Sequence, residues 1–229
     1  MPKDEQKKRH EVDCKTTWLE YTKEGNKSFL DYTNRLLDVI QEGQTESWEE
    51  RFPRLVSFVG QTGRFFRLFL LKTDRDKLTI ACAPGAGKST LIRLLIELQQ
   101  DRTSTNKPHP VPVPGRINDS IPTTGNVHLY EDPATFKSGM PIIYADCEGM
   151  SGGEAAPSGL REVERDDEDD EAPDASMVQH PQGGVRLRNE IRWAQTPHMQ
   201  TREYAVTTLF PRILYTFSDV VVFVLREVK

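Results

Sequence analysis

Cysteine is scarce in this 229-residue chain: Cys14, Cys82 and Cys147 are odd in number and far apart, with no C-x-x-C pair and no histidine at finger spacing. That argues against a disulfide framework and a structural zinc site, and the usage reads as that of a reducing compartment. Long hydrophobic runs are missing too. The longest, Leu68–Leu71 and Val220–Leu225, are far too short to span a bilayer, and the N-terminal MPKDEQKKRHEVD has no apolar h-region. The chain is expected to be cytoplasmic, with no transmembrane segment. A basic field is absent as well, since the formal net charge is −5 and the isoelectric point is near 5.6. Nothing then draws it to nucleic acid.

Much of the acidity is local. Residues 161–174, REVERDDEDDEAPD, carry nine acids against two arginines, leaving the remainder near +2. Only 36% of residues are hydrophobic and the mean hydropathy is −0.59, so part of the chain is expected outside the core. The acidic, Gly/Pro-rich stretch 150–184 reads as a disordered insert, and the charged residues 1–27 as a disordered N-terminus.

Along the rest of the chain, hydrophobic periodicity marks the elements. Ser28–Gln41 places Phe29, Leu30, Thr33, Leu36, Leu37 and Ile40 on one helical stripe with Gly43 to stop it, which predicts a helical extension over 28–50. Residues 51–229 read as one partial α/β domain. Within it, Leu55–Val59 and Leu78–Ala83 are short β-rich runs, each followed by a glycine loop, and LIRLLIELQQ opens a helix with Leu91, Leu94, Leu95 and Leu98 at helical spacing. The proline-rich 101–122 predicts a loop. Asn126–Tyr130 and Pro141–Ala145 predict strands joined by a turn-rich connector, helical spacing resumes over Arg186–Phe217, and Val220–Leu225 is a buried strand.

The strongest chemistry lies in Gly85-Ala86-Gly87-Lys88-Ser89-Thr90. A phosphate needs converging backbone N–H groups without side chains in the way, a helix N-terminus behind them and a lysine reaching the outer phosphates. This stretch supplies all three, and Ser89 offers a Mg²⁺ ligand. The alternative is an ordinary glycine-rich turn. The pattern G-x-x-x-x-G-K-[ST] is nonetheless damaged, because its first position falls on Cys82.

Removing residues 64–85 joins the neighbours as VSFVGQTG-AGKSTLIRLLIEL, and Gly60 then completes the pattern. The codon dictionary allows these 22 residues to be a translated short intron, with a donor GT within Gly63 and an acceptor AG across Pro84–Gly85. The competing reading is that KLTIACAPGAGKST is a working strand and loop, with small Cys82 in the glycine position.

Two further features belong with a phosphate loop. Pro141–Asp146 is a strand ending in an acid and continues as Asp146-Cys147-Glu148-Gly149, a D-x-x-G in which Asp146 can hold Mg²⁺ through water and the Gly149 N–H can meet a γ-phosphate. Before the preceding strand, Pro122-Thr123-Thr124-Gly125 places Thr123 where its hydroxyl can reach Mg²⁺ from a loop ordered by triphosphate. Lys88 and Thr123 are the expected catalytic residues. His109, His128 and His198 show neither metal spacing nor a nucleophile partner.

The order GKST…PTTGNVHLY…IIYADCEGM…QTREYAVTTLFPRILYTFSDVVVFV resembles the dynamin-like large GTPases, particularly guanylate-binding proteins and atlastins, and more closely fungal P-loop GTPase-like proteins, over roughly residues 54–149 and 186–226. The resemblance implies a P-loop fold with a mainly parallel sheet flanked by helices, with Gly87, Lys88 and Ser89 as phosphate and magnesium residues. It implies Mg²⁺-dependent GTP hydrolysis as a conformational switch, GTP over ATP, and a nucleotide-dependent homodimer. The sequence departs from the family in its displaced first glycine, its acidic insert, and the lack of a guanine-reading N/T-K-x-D motif before the last residue, Lys229, so the domain is expected to be incomplete at its C-terminus. Two alternatives stay open: a degenerate, non-catalytic scaffold, and an ATP-using P-loop protein.

Overall fold

The computed structural model describes residues 12–43, 50–60, 71–72, 78–79, 87–103, 109–113, 126–147, 149, 186–192, 194 and 196–224. The elements are β1 (Thr17–Glu24), β2 (Lys27–Thr33), α1 (Arg35–Glu42), β3 (Arg54–Gly60), β4 (Leu71–Lys72), β5 (Leu78–Thr79), α2 (Gly87–Thr103), β6 (Val127–Glu131), β7 (Ile142–Cys147) and β8 (Arg186–Glu190). A 3-10 turn (His198–Gln200) follows, then α3 (Arg202–Tyr204), a π-helical turn (Ala205–Leu209), α4 (Phe210–Phe217) and β9 (Val220–Val224).

Among the described residues, seven strands form one α/β sheet in the order β8-β2-β1-β6-β7-β3-β9. The expectation of a mainly parallel sheet is corrected: only β3 with β7 and β3 with β9 run parallel, while β8/β2, β2/β1, β1/β6 and β6/β7 are antiparallel. Short connections account for β1/β2 and β6/β7, because a tight turn can join only antiparallel neighbours, whereas β1/β6 and β2/β8 are pairings between strands far apart in the chain. Between β6 and β7 the turn is held by Asp132, whose carboxylate accepts from Thr135 N (3.0 Å), Thr135 Oγ1 (2.8 Å) and Tyr144 Oη (3.1 Å).

The N-terminal half is also corrected. The helical stripe over Ser28–Gln41 is strand up to Thr33 and helix only from Arg35, and part of the segment read as disordered, Thr17–Glu24, is β1. Between β1 and β2, Gly25 takes φ +56°, a left-handed turn conformation that costs glycine little, so the two strands fold back on each other with Glu24 opposite Lys27. β2 is then paired on both sides. Its buried Asp31 accepts from Arg188 Nε (3.0 Å) and Nη2 (3.1 Å) of β8. Helical spacing over Arg186–Phe217 likewise gives way to strand at Arg186–Glu190, with α-helix beginning at Arg202.

Both sheet faces are covered, which makes β6, β7, β3 and β9 apolar along most of their length. On one face, Ile92 and Ile96 of α2, one helical turn apart, are buried against Phe58, Tyr130, Tyr144 and Val222. Leu94 and Leu98 lie on the solvent side of that helix. On the other face Val39 of α1, Val206, and Phe210 and Leu214 of α4 pack over Leu19, Leu55, Leu129, Ile143 and Val221. β4 and β5 pair only with each other, in a separate two-stranded ribbon. Among the described residues no helix is long and apolar enough to cross a membrane. The acidic stretch 150–184 lies outside the described residues.

Candidate functional site

β3 runs between β7 and β9, parallel to both, so the chain leaves it toward one side of the sheet and later returns on the other. Such a switch point opens a crevice beyond the carboxyl ends of the strands. Helix α2 starts with Gly87-Lys88-Ser89-Thr90, and its first turn meets the last residues of β7. The first N–H groups of a helix have no intrahelical partner and carry its positive dipole end.

Three of the predicted residues come together here. Ser89 donates from Oγ to Asp146 Oδ2 at 2.7 Å, linking residues 57 positions apart in the chain. Both are buried, and so is Lys88. Strand alternation explains the placement: Ala145 and Cys147 belong to the apolar cluster on the far face, so Asp146 between them faces α2. Gly149, also buried, follows two residues after β7 ends. Gly85, Ala86, Thr123, Thr124, Gly125 and Cys82 lie outside the described residues.

Burial dominates the electrostatics of Asp146 and raises its pKa above the ordinary carboxylate value; the Lys88 charge, the Ser89 hydrogen bond and the His128 charge oppose this, and the Asp13 charge adds to it. A carboxylate held this way gains from an added cation. Ser89 and Asp146 could hold magnesium, the one directly and the other through water, beside phosphates at the helix start. Among the described residues no group of three or more His, Cys, Asp or Glu stands together as a metal cage. Magnesium bound with a nucleotide needs none, because water and phosphate oxygens fill most of its coordination sphere.

A second set of polar groups beside the site carries no motif. The turn before β1 places Asp13 so that its carboxylate accepts from the Tyr130 hydroxyl, and Thr16 Oγ1 meets His128 Nδ1 at 2.9 Å. His128 stands directly opposite Asp146 in the β6/β7 ladder, and its ring stacks on Tyr130 with centroids 6.4 Å apart. Burial, then the Asp13 and Asp146 charges, push the Tyr130 phenol well above its ordinary value. The one available signal was the alternation in Asn126–Glu131, which puts His128 and Tyr130 on one face; nothing local ties Asp13 to them. Comparison with known proteins finds no family model, no curated protein and no solved structure that matches the chain.

Proposed function

We propose that the crevice at the start of α2 binds the magnesium-bearing phosphates of a nucleoside triphosphate, and that the chain is a GTPase-like conformational switch. The 2.7 Å bond between Ser89 and Asp146 carries this reading, because it joins two separate sequence motifs at the switch point of the sheet. Lys88 would face the outer phosphates, Ser89 and Thr123 would supply hydroxyls to Mg²⁺, Asp146 would hold it through water, and the Gly149 N–H would sense the γ-phosphate. Bound magnesium would neutralise the charge that develops on the transferring phosphoryl group. Lys88 adds a fixed positive charge there, and the helix N-terminus orients backbone N–H groups toward the same oxygens. Preference for GTP over ATP, hydrolysis, and a nucleotide-dependent homodimer rest on the resemblance to dynamin-like GTPases.

A non-catalytic scaffold is favoured by one observation: Gly60, at the end of β3, and Gly87, at the start of α2, are separated by the 26 residues 61–86. Titration with a fluorescent GTP analogue, with and without Mg²⁺, separates the two. The switch reading predicts Mg²⁺-dependent binding that Lys88→Ala, checked for folding by circular dichroism, weakens by more than about tenfold. A folded protein for which Lys88→Ala changes nothing at any nucleotide concentration contradicts that reading for the chain as it stands and supports the scaffold. ATP outcompeting GTP in the same titration would turn the base preference around.

A further inference from the structure

Asp146 of β7 and His128 of β6 stand directly opposite each other in the antiparallel ladder, on the sheet face that carries α2. Side chains paired in this way have Cβ atoms about 5 Å apart, so the His128 ring flanks the Asp146 carboxylate while Ser89 binds it from the helix. Both residues are buried. A carboxylate that holds a cation through water has to be aimed to within a fraction of an ångström, and the groups packed around it set that aim.

His128 is itself held by a part of the chain that no motif marks. Its Nδ1 lies 2.9 Å from Thr16 Oγ1 and 3.2 Å from the Asp13 carbonyl oxygen. The Thr16 hydroxyl donates its single proton to that same carbonyl, at 2.6 Å. Both neighbours therefore accept from the ring, which places a proton on Nδ1 and fixes the orientation of the imidazole. The ring also stacks on Tyr130, whose hydroxyl donates to the Asp13 carboxylate. With Leu129 N donating to Thr16 O, the turn before β1 is fastened to β6 at three successive residues, His128, Leu129 and Tyr130.

We infer that His128, locked by the Asp13–Thr16 turn, is a positioning residue for the Asp146 carboxylate, and that the segment before β1 thereby sets how tightly the site takes magnesium. This role rests on the magnesium and nucleotide reading of the site. The charges of His128 and Asp13 act on Asp146 in opposite senses, the first favouring its ionised form and the second opposing it, so the turn is tied to the carboxylate electrically as well as by packing.

The test follows N-methylanthraniloyl-GTP binding as Mg²⁺ is added to the full chain and to four variants. Thr16→Val removes the hydroxyl with little change of shape, Thr16→Ser keeps it, and His128→Phe keeps a stacking ring without nitrogens. Glu131→Gln, whose partners are Arg35 and His109, is a control for lost stability away from the site. Thr16→Val and His128→Phe are expected to raise the Mg²⁺ midpoint about tenfold, the loss that outer partners of a metal site bring, and to change binding without Mg²⁺ by less than about twofold. Thr16→Ser and Glu131→Gln are expected to keep the native midpoint. An unchanged midpoint in folded Thr16→Val or His128→Phe overturns the inference and leaves the nucleotide reading standing. So does an equal rise in Thr16→Ser or in Glu131→Gln, since the hydroxyl or the site would then not be what matters. If neither Thr16→Val nor His128→Phe folds, the native chain decides: its His128 ring NMR signals are expected to shift when Mg²⁺ is added to the analogue-bound protein, and signals that stay in place overturn the inference. A folded native chain that binds no analogue, or binds it without regard to Mg²⁺, removes the nucleotide reading and the inference together.

Discussion

Two buried carboxylates illustrate how differently a sheet can treat the same group. Asp146 is raised by burial, which the Lys88 charge, the Ser89 hydrogen bond and the His128 charge offset only in part, whereas Glu131, at the end of β6, is fully compensated. Burial alone would raise Glu131, but the hydrogen bond with His109 (3.3 Å) and the charge of Arg35, whose Nη2 is 2.6 Å away, more than offset it and leave the pKa below its ordinary 4.5. A carboxylate with a lowered folded-state pKa stabilises the fold fully above its unfolded-state value, and the contribution is lost as pH falls through the folded-state value. The expected outcome is that Glu131→Gln costs about 3–5 kcal/mol at neutral pH, because Arg35 is left buried without its counter-charge. Urea midpoints for wild type and variant should converge as the pH drops below the ordinary glutamate range. A gap that stays constant into that range would show that the pair does not carry the pH dependence.

At the scale of elements, the β1–β2 hairpin is structural and not an appendage. β1 pairs with β6, Leu129 N donates to Thr16 O at 2.8 Å, and Leu19 and Tyr21 are part of the core. A chain starting at residue 34 would open the β6 edge and remove that packing. It is expected to lose its cooperative thermal transition, and a sharp melt at an unchanged temperature would contradict the assignment. The elements at the site were legible in the sequence, since Gly87–Thr90 ahead of a helical pattern and an apolar run ending in Asp146 are local signals. The hairpin was not, because Phe29, Leu30 and Thr33 fit a 3.6-residue period as well as a strand. What makes Lys27–Thr33 a strand is β1 on one side and Arg188, 157 residues from Asp31, on the other. β8, RLRNE, has no apolar alternation at all, and its strand conformation comes from pairing with β2. Non-local partners also decided the sheet's polarity.

For the molecule as a whole, the arrangement divides labour across the sheet. The antiparallel β8-β2-β1-β6 half extends and closes the core, and the parallel β7-β3-β9 part presents its strand ends to the start of α2. On the proposed reading, this junction holds phosphate and magnesium, with Ser89 and Asp146 as its cation side. The most direct test is the Mg²⁺ dependence of GTP-analogue binding, compared between the native chain and Asp146→Asn, a substitution close in shape that removes the charge. Mg²⁺ is expected to tighten binding to the native chain by about tenfold or more, and in the folded variant this gain is expected to disappear while the weak Mg²⁺-independent binding remains. An equal Mg²⁺ response in native and Asp146→Asn protein would contradict it.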